Sequence, residues 1–422
     1  MNKITAFFRK LGPGFITGIA DDDPSGTITY AQTGILFGYG QLWLTVFSIP
    51  FMITIQEMCG RLAMTTGKGI AAILRSHYSR PVLFLSVLLL VVANVFNIGA
   101  DMGAMAASAE LVFPVGFGVW IIGLTLFTIL ILIYTPYPTY VKFLKYLSLA
   151  VFSYIIVALI VHQEWRAILY QTLVPQFVFS KEYLLNIVAM LGTTISPYLF
   201  FWQADEEVEE MESHHKKSFL SLGMPDKKLS RADLKEMRSD TAIGMFVSNL
   251  IAFFVIITTA ATLHAQGITT FSGTAQIAEA LKPLAGEYTP LIFALGILGT
   301  GLLAIPVLAG SAAYALSEAF GWQHGLGRTF KQARAFYSII IIATLIGVLV
   351  NFTSIDPMLL LYYSVVLNAL LAPPIMMIIL LVCNNKKLMG NYTNSTLSNT
   401  LGIIITGLMT VSGLALIGSF FI

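Results

Sequence analysis

Charge is scarce in this chain. Only 11% of the 422 residues are Asp, Glu, Lys or Arg, while 56% are hydrophobic. Long apolar runs with so few charges point to helical membrane spans. Barrel strands would alternate polar and apolar residues, and these runs do not. A net charge of +2 is too small to imply a nucleic-acid partner. Cysteine is nearly absent. Cys59 and Cys383 lie in different segments with no CxxC, which disfavours a disulfide framework or a zinc site. The histidines (His77, His162, His214, His215, His264, His324) all fall in loops or at span ends, so an imidazole site at the midplane is disfavoured. Neither H-E-x-x-H nor G-x-S-x-G occurs, and no nucleophile–base pair stands out, so nothing points to an enzyme. Lys3, Arg9 and Lys10 precede the first apolar segment, but no small-residue cleavage site follows, so a cleavable signal is not expected.

What is present is a set of about eleven apolar spans of roughly 20 residues. Their boundaries fall near 13–35, 41–64, 82–108, 116–134, 143–162, 184–204, 241–264, 288–316, 335–351, 357–382 and 399–421, to within about four residues at each end. With the N-terminus in the cytoplasm, 21 of the 24 Lys and Arg residues fall on that side. Only Arg166, Lys181 and Lys282 fall on the other. The positive-inside rule therefore predicts a cytoplasmic N-terminus and, with an odd span count, an extracytoplasmic C-terminus. The whole chain reads as a single membrane domain with a charged cytoplasmic loop over about 205–240.

Two spans are interrupted. Span one contains Ala20-Asp21-Asp22-Asp23-Pro24-Ser25-Gly26, three carboxylates and a helix breaker between apolar flanks. An ionised carboxylate near the bilayer midplane costs roughly 2.5–3.5 kcal/mol on insertion scales. Pro and Gly at the same place free backbone groups that lipid does not satisfy. Span six repeats the device in Gly192-Thr193-Thr194-Ile195-Ser196-Pro197-Tyr198. If spans one to five (about 13–162) and six to ten (about 184–382) are two repeats, five spans each makes the second inverted. Span eleven lies outside them. Paired broken spans are the sequence sign of a transporter site at the midplane, and acidic centres suit cations.

The candidate ligands follow. Asp23 precedes Pro24, so its side chain sits where the helix breaks; its bland reading is a cap on the second half-helix. Gly26 leaves room, and the carbonyls of residues 20–23, Ala20 among them, supply oxygen. Ser196 and the Thr193 carbonyl face them from span six. Asn368 in span ten is a further midplane polar group, with an interhelical hydrogen bond as its bland reading. Asp101 in span three, set among small residues, needs a wet cavity or a partner. Asp22 caps or attracts ions. Gln203, Glu206, Glu207 and Glu210 share a helical face that lines an inner mouth or is simply solvated. Thr66-Gly67-Lys68-Gly69 has the wrong spacing for a P-loop and reads as the end of span two. All these donors are oxygens, which suits Mg²⁺, Ca²⁺ or Mn²⁺.

Asp23-Pro24-Ser25-Gly26 after Leu11-Gly12-Pro13-Gly14, with Thr194-Ile195-Ser196-Pro197-Tyr198, resembles the Nramp family of divalent-metal transporters. The resemblance runs over nearly all of the chain. It implies an all-α, LeuT-type fold of about eleven transmembrane helices, with an inverted repeat and broken helices one and six. Three departures bear on selectivity and coupling. Gly26 stands where the family has Asn, Ser196 where it has Met, and Tyr198 where it has His. The family's thioether favours softer transition metals, so its loss implies a harder, roomier site, as in the Nramp-related magnesium transporter branch. Tyr198 and Trp202 then belong to the pathway beside the site. Ala104 replaces the acidic partner found in proton-coupled members. The resemblance implies uptake of partly hydrated Mg²⁺, and of Mn²⁺, by alternating access without proton coupling. It needs no resident cofactor and no nucleic acid, works in a bilayer of bacterial inner-membrane type, and acts as a monomer or weak oligomer. The alternatives are a proton-coupled Mn²⁺/Fe²⁺ transporter and a Na⁺-coupled solute transporter of the same fold.

Overall fold

The computed structural model describes residues 12–135, 152–178, 180–222, 229–271, 273–353 and 357–418. The first part of span five, up to residue 151, lies outside the described residues, as do the basic residues of the N-terminal tail. Every long element is a helix, and no strand occurs among the described residues.

Span one is two half-helices, Pro13–Asp21 and Pro24–Phe37. Span six is likewise Lys181–Thr194 and Pro197–Leu222. Both breaks leave two residues outside the helices, Asp22-Asp23 and Ile195-Ser196, and both restart on a proline. Pro lacks an N–H to give to the preceding turn and pushes its neighbour out of the helical region. The proline therefore sets the restart, and the residue before it is left to cap.

Among the described residues, eight helices are long and apolar enough to cross a membrane: Arg80–Glu110, Phe117–Tyr134, Lys181–Glu212, Arg231–Gln266, Lys282–Phe320, Arg334–Phe352, Leu359–Cys383 and Thr396–Gly418. Three expected spans fall outside that set for separate reasons. Span one is halved. Span two is split into Trp43–Phe47 and Ile49–Thr66 and carries Gln56, Glu57 and Arg61. Of span five, only Ser153–Ile160 is described as α-helix. Span two ends at Gly67, whose φ of 65° is a left-handed cap that only glycine adopts without strain. That is the role of the glycine in the false P-loop.

The charged segment expected as a loop over 205–240 is mostly helix. Span six continues to Leu222, and span seven starts at Arg231. The continuation is rich in Glu, a good helix former. Ser230 and Asp233 form a capping box that starts span seven ten residues before its apolar run.

The packing is pairwise repeated. Span seven packs against both halves of span one, and span two packs against the second half of span six. Span three packs on spans four and eight, and span eight on span nine. An exchange of spans one to four with six to nine maps these contacts onto one another. Close approach needs glycine: a Cβ on Gly18 would lie 2.2 Å from the carbonyl carbon of Gly244. On span four, Val119, Ile122, Leu126, Phe127 and Leu130 point away from the protein, an apolar face suited to lipid.

Candidate metal centre

Asp23 caps the second half of span one. Its Oδ1 accepts from the Gly26 N–H and the Ser25 hydroxyl, both at 2.6 Å. Its Oδ2 accepts from Asn97 Nδ2 at 2.9 Å, and the Tyr198 hydroxyl stands 3.5 Å away. A deprotonated carboxylate is acceptor-only, and every one of these partners is a neutral donor. The half-helix beginning at Pro24 adds the positive end of its dipole. The buried carboxylate is thus held by neutral donors, with no Lys or Arg paired to it among the described residues. The bland reading, a cap, is what the geometry shows; the same geometry orients the carboxylate at the break.

Span three supplies two groups one turn apart. Asp101 Oδ1 accepts from the Ser25 N–H at 3.0 Å, while its Oδ2 has no partner. Asn97, which is not among the candidates expected from the sequence, holds Asp23 directly. The signal for it was the spacing i, i+4 ahead of an intramembrane acid. A hydrogen bond to a charged group contributes about 1.5–3 kcal/mol. Asn97→Ala should therefore raise the metal concentration for half-maximal uptake by roughly 10- to 100-fold. Concentration-dependent uptake into proteoliposomes measures this.

Span six closes the centre from the other side. The Tyr198 hydroxyl donates to the Ala20 carbonyl at 3.1 Å, so that expected ligand oxygen is engaged by a phenol. A Cβ on Gly26 would meet Thr193 Oγ1 at 2.8 Å, which places Gly26 and Thr193 against each other. Ser196 turns back on its own half-helix, donating to the carbonyls of Gly192 and Thr193 at 2.8 and 3.0 Å. These are carbonyls the break has freed. Its oxygen keeps lone pairs for a cation. Span ten comes close because Gly192 lacks a side chain: a Cβ there would lie 2.1 Å from the Val365 carbonyl oxygen. Asn368, three residues on, is buried with an unpartnered Oδ1, but no hydrogen bond joins it to Asp23. Asp23, Asp101, Ser196 and Asn368 are all at most 2% exposed, so the centre is occluded.

Three expected pathway residues lie on the second half of span six, past the break. Trp202 is buried where span six crosses span eight, its ring against Tyr314 and the bare backbone of Gly310. Gln203 donates to Glu207 at 2.8 Å, and Glu206 keeps one oxygen without a partner. Both sit on the helix running toward the basic loops. Sequence reasoning missed other anchors there. Asp240 accepts from the N–H groups of Gly12 and Phe15 and so starts span one. Glu57 pairs with Arg61 and Arg238. At the opposite end Asn186 donates to Thr33 and Gln41, and Gln41 donates to the Tyr183 carbonyl. That buried network ties the two broken spans together above the centre.

A helical bundle with two broken spans meeting at a buried acidic centre defines a secondary-transporter architecture, and solved structures agree. The manganese transporter of Eremococcus coleocola, in complex with an aromatic bis-isothiourea substituted compound, superposes with a TM-score of 0.74 at 17% identity. That match covers 98% of this chain and 87% of the other. Mhp1, a nucleobase-cation-symport-1 family transporter in a closed conformation, gives 0.58 at 14% identity over 96% and 90% of the two chains. The fold is the LeuT type.

The sequence matches narrow this further. Residues 14–419 match the family described as natural resistance-associated macrophage protein-like, and the chain belongs to this Nramp family. It is 28% identical to the divalent metal cation transporter MntH of Erwinia tasmaniensis over 301 residues, 70% of this chain and 68% of that protein. It is also 28% identical to MntH of Klebsiella pneumoniae strain 342 over 295 residues, 69% and 68% of the two chains. The chain is a multi-pass membrane protein of this transporter family, not an enzyme.

Proposed function

We propose that this protein carries Mg²⁺, with Mn²⁺ as a second cargo, into the cell across the inner membrane by alternating access and without proton coupling. Divalent cation transport is the activity named for its MntH relatives. The observation that carries the choice of ion is the donor set. Every polar group around the break is an oxygen or amide, with Ser196 and Tyr198 where the family has Met and His. Mg²⁺ takes hard oxygen ligands and keeps several of its waters. Hydroxyls and carbonyls accept such waters, whereas a thioether does not favour them. Ala104, buried one turn after Asp101, removes the acid that a proton route through span three would use.

The N-terminus faces the cytoplasm in this reading, since the basic residues gather on that side. Proton-coupled Mn²⁺ uptake is the second reading, favoured by the unpartnered oxygen of Asp101. One experiment separates them. Proteoliposomes should accumulate Mg²⁺ under an inside-negative potential while an internal pH dye stays flat. Acid-stimulated Mn²⁺ flux with internal acidification and no Mg²⁺ flux would sink the proposal.

A further inference from the structure

Spans one, two, six and seven pack on one another, and spans three, four, eight and nine do likewise. At the end that carries the basic loops, two acids of span six reach across to the other group. Glu209 accepts from the N–H groups of Leu326 and Gly327, in the turn after span eight, at 2.7 and 3.1 Å. It also accepts from the Tyr314 hydroxyl of span eight at 2.5 Å. Asp205, one turn back, is hydrogen-bonded side chain to side chain with Glu318 of span eight, and both are buried. A Cβ on Gly69 would lie 2.0 Å from Asp205 Oδ1 and 2.5 and 2.7 Å from the two Glu318 oxygens, so both carboxyl groups converge on that bare backbone. Glu318 is already engaged as an acceptor. Its Oε1 takes the Gly69 N–H and its Oε2 the Ala72 N–H, each at 3.0 Å, at the start of helix Ile70–His77. A carboxylate has no hydrogen to donate, so a bond between two carboxyl groups needs one proton, and it sits on Asp205. Nothing else offsets the second charge. Neither acid pairs with Lys or Arg among the described residues, and Asp205 Oδ2 has no partner. The charged neighbours on span six are Glu206 and Glu209. His324, after span eight, lies within electrostatic reach of Glu318. Arg75 of helix Ile70–His77 gives its hydrogen bond to the Glu318 backbone carbonyl, not to the carboxylate. On span two, Glu57 and Arg61 close on each other and on Arg238.

We propose that Asp205 and Glu318 form a proton-operated latch that holds this end of the bundle shut, the cytoplasmic end in the orientation proposed above. Parting of the two groups of spans pulls Asp205 away from Glu318. Water then reaches both carboxylates, and the shared proton is no longer needed. The closed arrangement therefore binds one proton more than the open one. Acid favours closure, and a rising pH favours opening. By linkage, one proton shifts the closed-to-open ratio by up to about tenfold per pH unit. The proton is taken from and returned to the same side, so none crosses the membrane. The latch goes beyond the proposed cargo: it sets when the carrier opens, not which ion it carries.

The test is amide hydrogen exchange of the full-length protein in detergent, without metal, over a series of pH values and corrected for the intrinsic pH dependence of exchange. Two segments report the latch: the Gly69 and Ala72 amides that Glu318 holds, and the Leu326 and Gly327 amides that Glu209 holds across the same gap. In wild type both should lose protection together as pH rises, by up to about tenfold per unit. Asp205→Asn keeps the shape and donates through Nδ2 at every pH, so both segments should stay protected with no slope. Asp205→Ala removes the bond, so both should exchange fast with no slope. Glu318→Gln, with its amide toward Asp205, should also abolish the slope and serves if either Asp205 variant fails to fold. His324→Gln should keep it. An infrared difference spectrum, wild type minus Asp205→Asn, should show the C=O stretch of a protonated carboxyl. A flat wild type, a wild-type slope in Asp205→Asn, or loss of the slope in His324→Gln overturns the latch. So does a slope at Gly69 and Ala72 that Leu326 and Gly327 do not follow, since the pair would then only cap a helix. No ion is present, so the outcome stands apart from the choice between Mg²⁺ and Mn²⁺.

Discussion

Asp23→Ala should abolish uptake of Mg²⁺ and Mn²⁺ in proteoliposomes. The expected loss is large because the substitution removes a formal charge, not only a contact. Two unit charges about 4 Å apart at an effective dielectric near 20 interact by about 4 kcal/mol. A divalent ion in direct contact interacts more strongly, so about 1,000-fold in apparent affinity is a lower bound. The alanine also leaves the Gly26 N–H, the Ser25 hydroxyl and Asn97 without their acceptor. Loss of an N-cap alone costs about 1 kcal/mol. Asp23→Asn separates the effects. Its carbonyl oxygen still caps Gly26, so the half-helix should hold and the unfolding temperature should stay near wild type, while uptake falls almost as far as in the alanine variant. Wild-type uptake by Asp23→Asn would show that Asp23 is a cap and nothing more.

The distinction between cap and ligand marks how far the sequence could be read. Pro24 and Pro197 place both breaks, because proline acts on its immediate neighbours. Continuous apolar runs place the spans, since a bilayer leaves few other uses for them. What failed was of two kinds. The charge of the segment over 205–240 suggests a loop, but helix propensity and the Ser230–Asp233 capping box carry the helices past the apolar run. The other misses are partners remote in sequence. Asp240 meets Gly12 across 228 positions, and Ser248 meets Asp21 across 227. Nothing local to Ser248 distinguishes it from a serine that bonds its own helix. Only the packing of span seven on span one, allowed by Gly18 and Gly244, brings it there. Trp202, Gln203 and Glu206, expected along the pathway, follow the break on the second half of span six. A face says which residues line up, not how far along the axis they lie, and each helical residue advances about 1.5 Å.

The second large effect concerns which ion is chosen. Ser196→Met should shift the protein from Mg²⁺ toward Mn²⁺, read as the Mg²⁺ concentration needed to halve Mn²⁺ uptake. Ser196 is 1% exposed and donates to the carbonyls of Gly192 and Thr193. Methionine cannot donate, so those carbonyls lose their partner at the break, and the longer side chain must be accommodated. Overpacking of this kind costs about 1–3 kcal/mol, and total uptake should fall. The direction of the selectivity change does not depend on that fall. A thioether is a soft ligand and offers little to an ion that prefers oxygen and holds its water. Mg²⁺ then loses a hydroxyl without compensation, while Mn²⁺ gains a ligand it tolerates. A shift of about tenfold in the competition ratio corresponds to about 1.4 kcal/mol. Adding Gly26→Asn should not extend the shift, because its Cβ would meet Thr193 Oγ1 at 2.8 Å and Asp21 O at 3.2 Å. An asparagine at position 26 therefore needs a wider separation of spans one and six than this chain has. If Ser196→Met leaves the ratio unchanged while Asp23→Ala still abolishes uptake, the span-six residue does not set the preference. Selectivity would then rest on the carboxylates and the space around them.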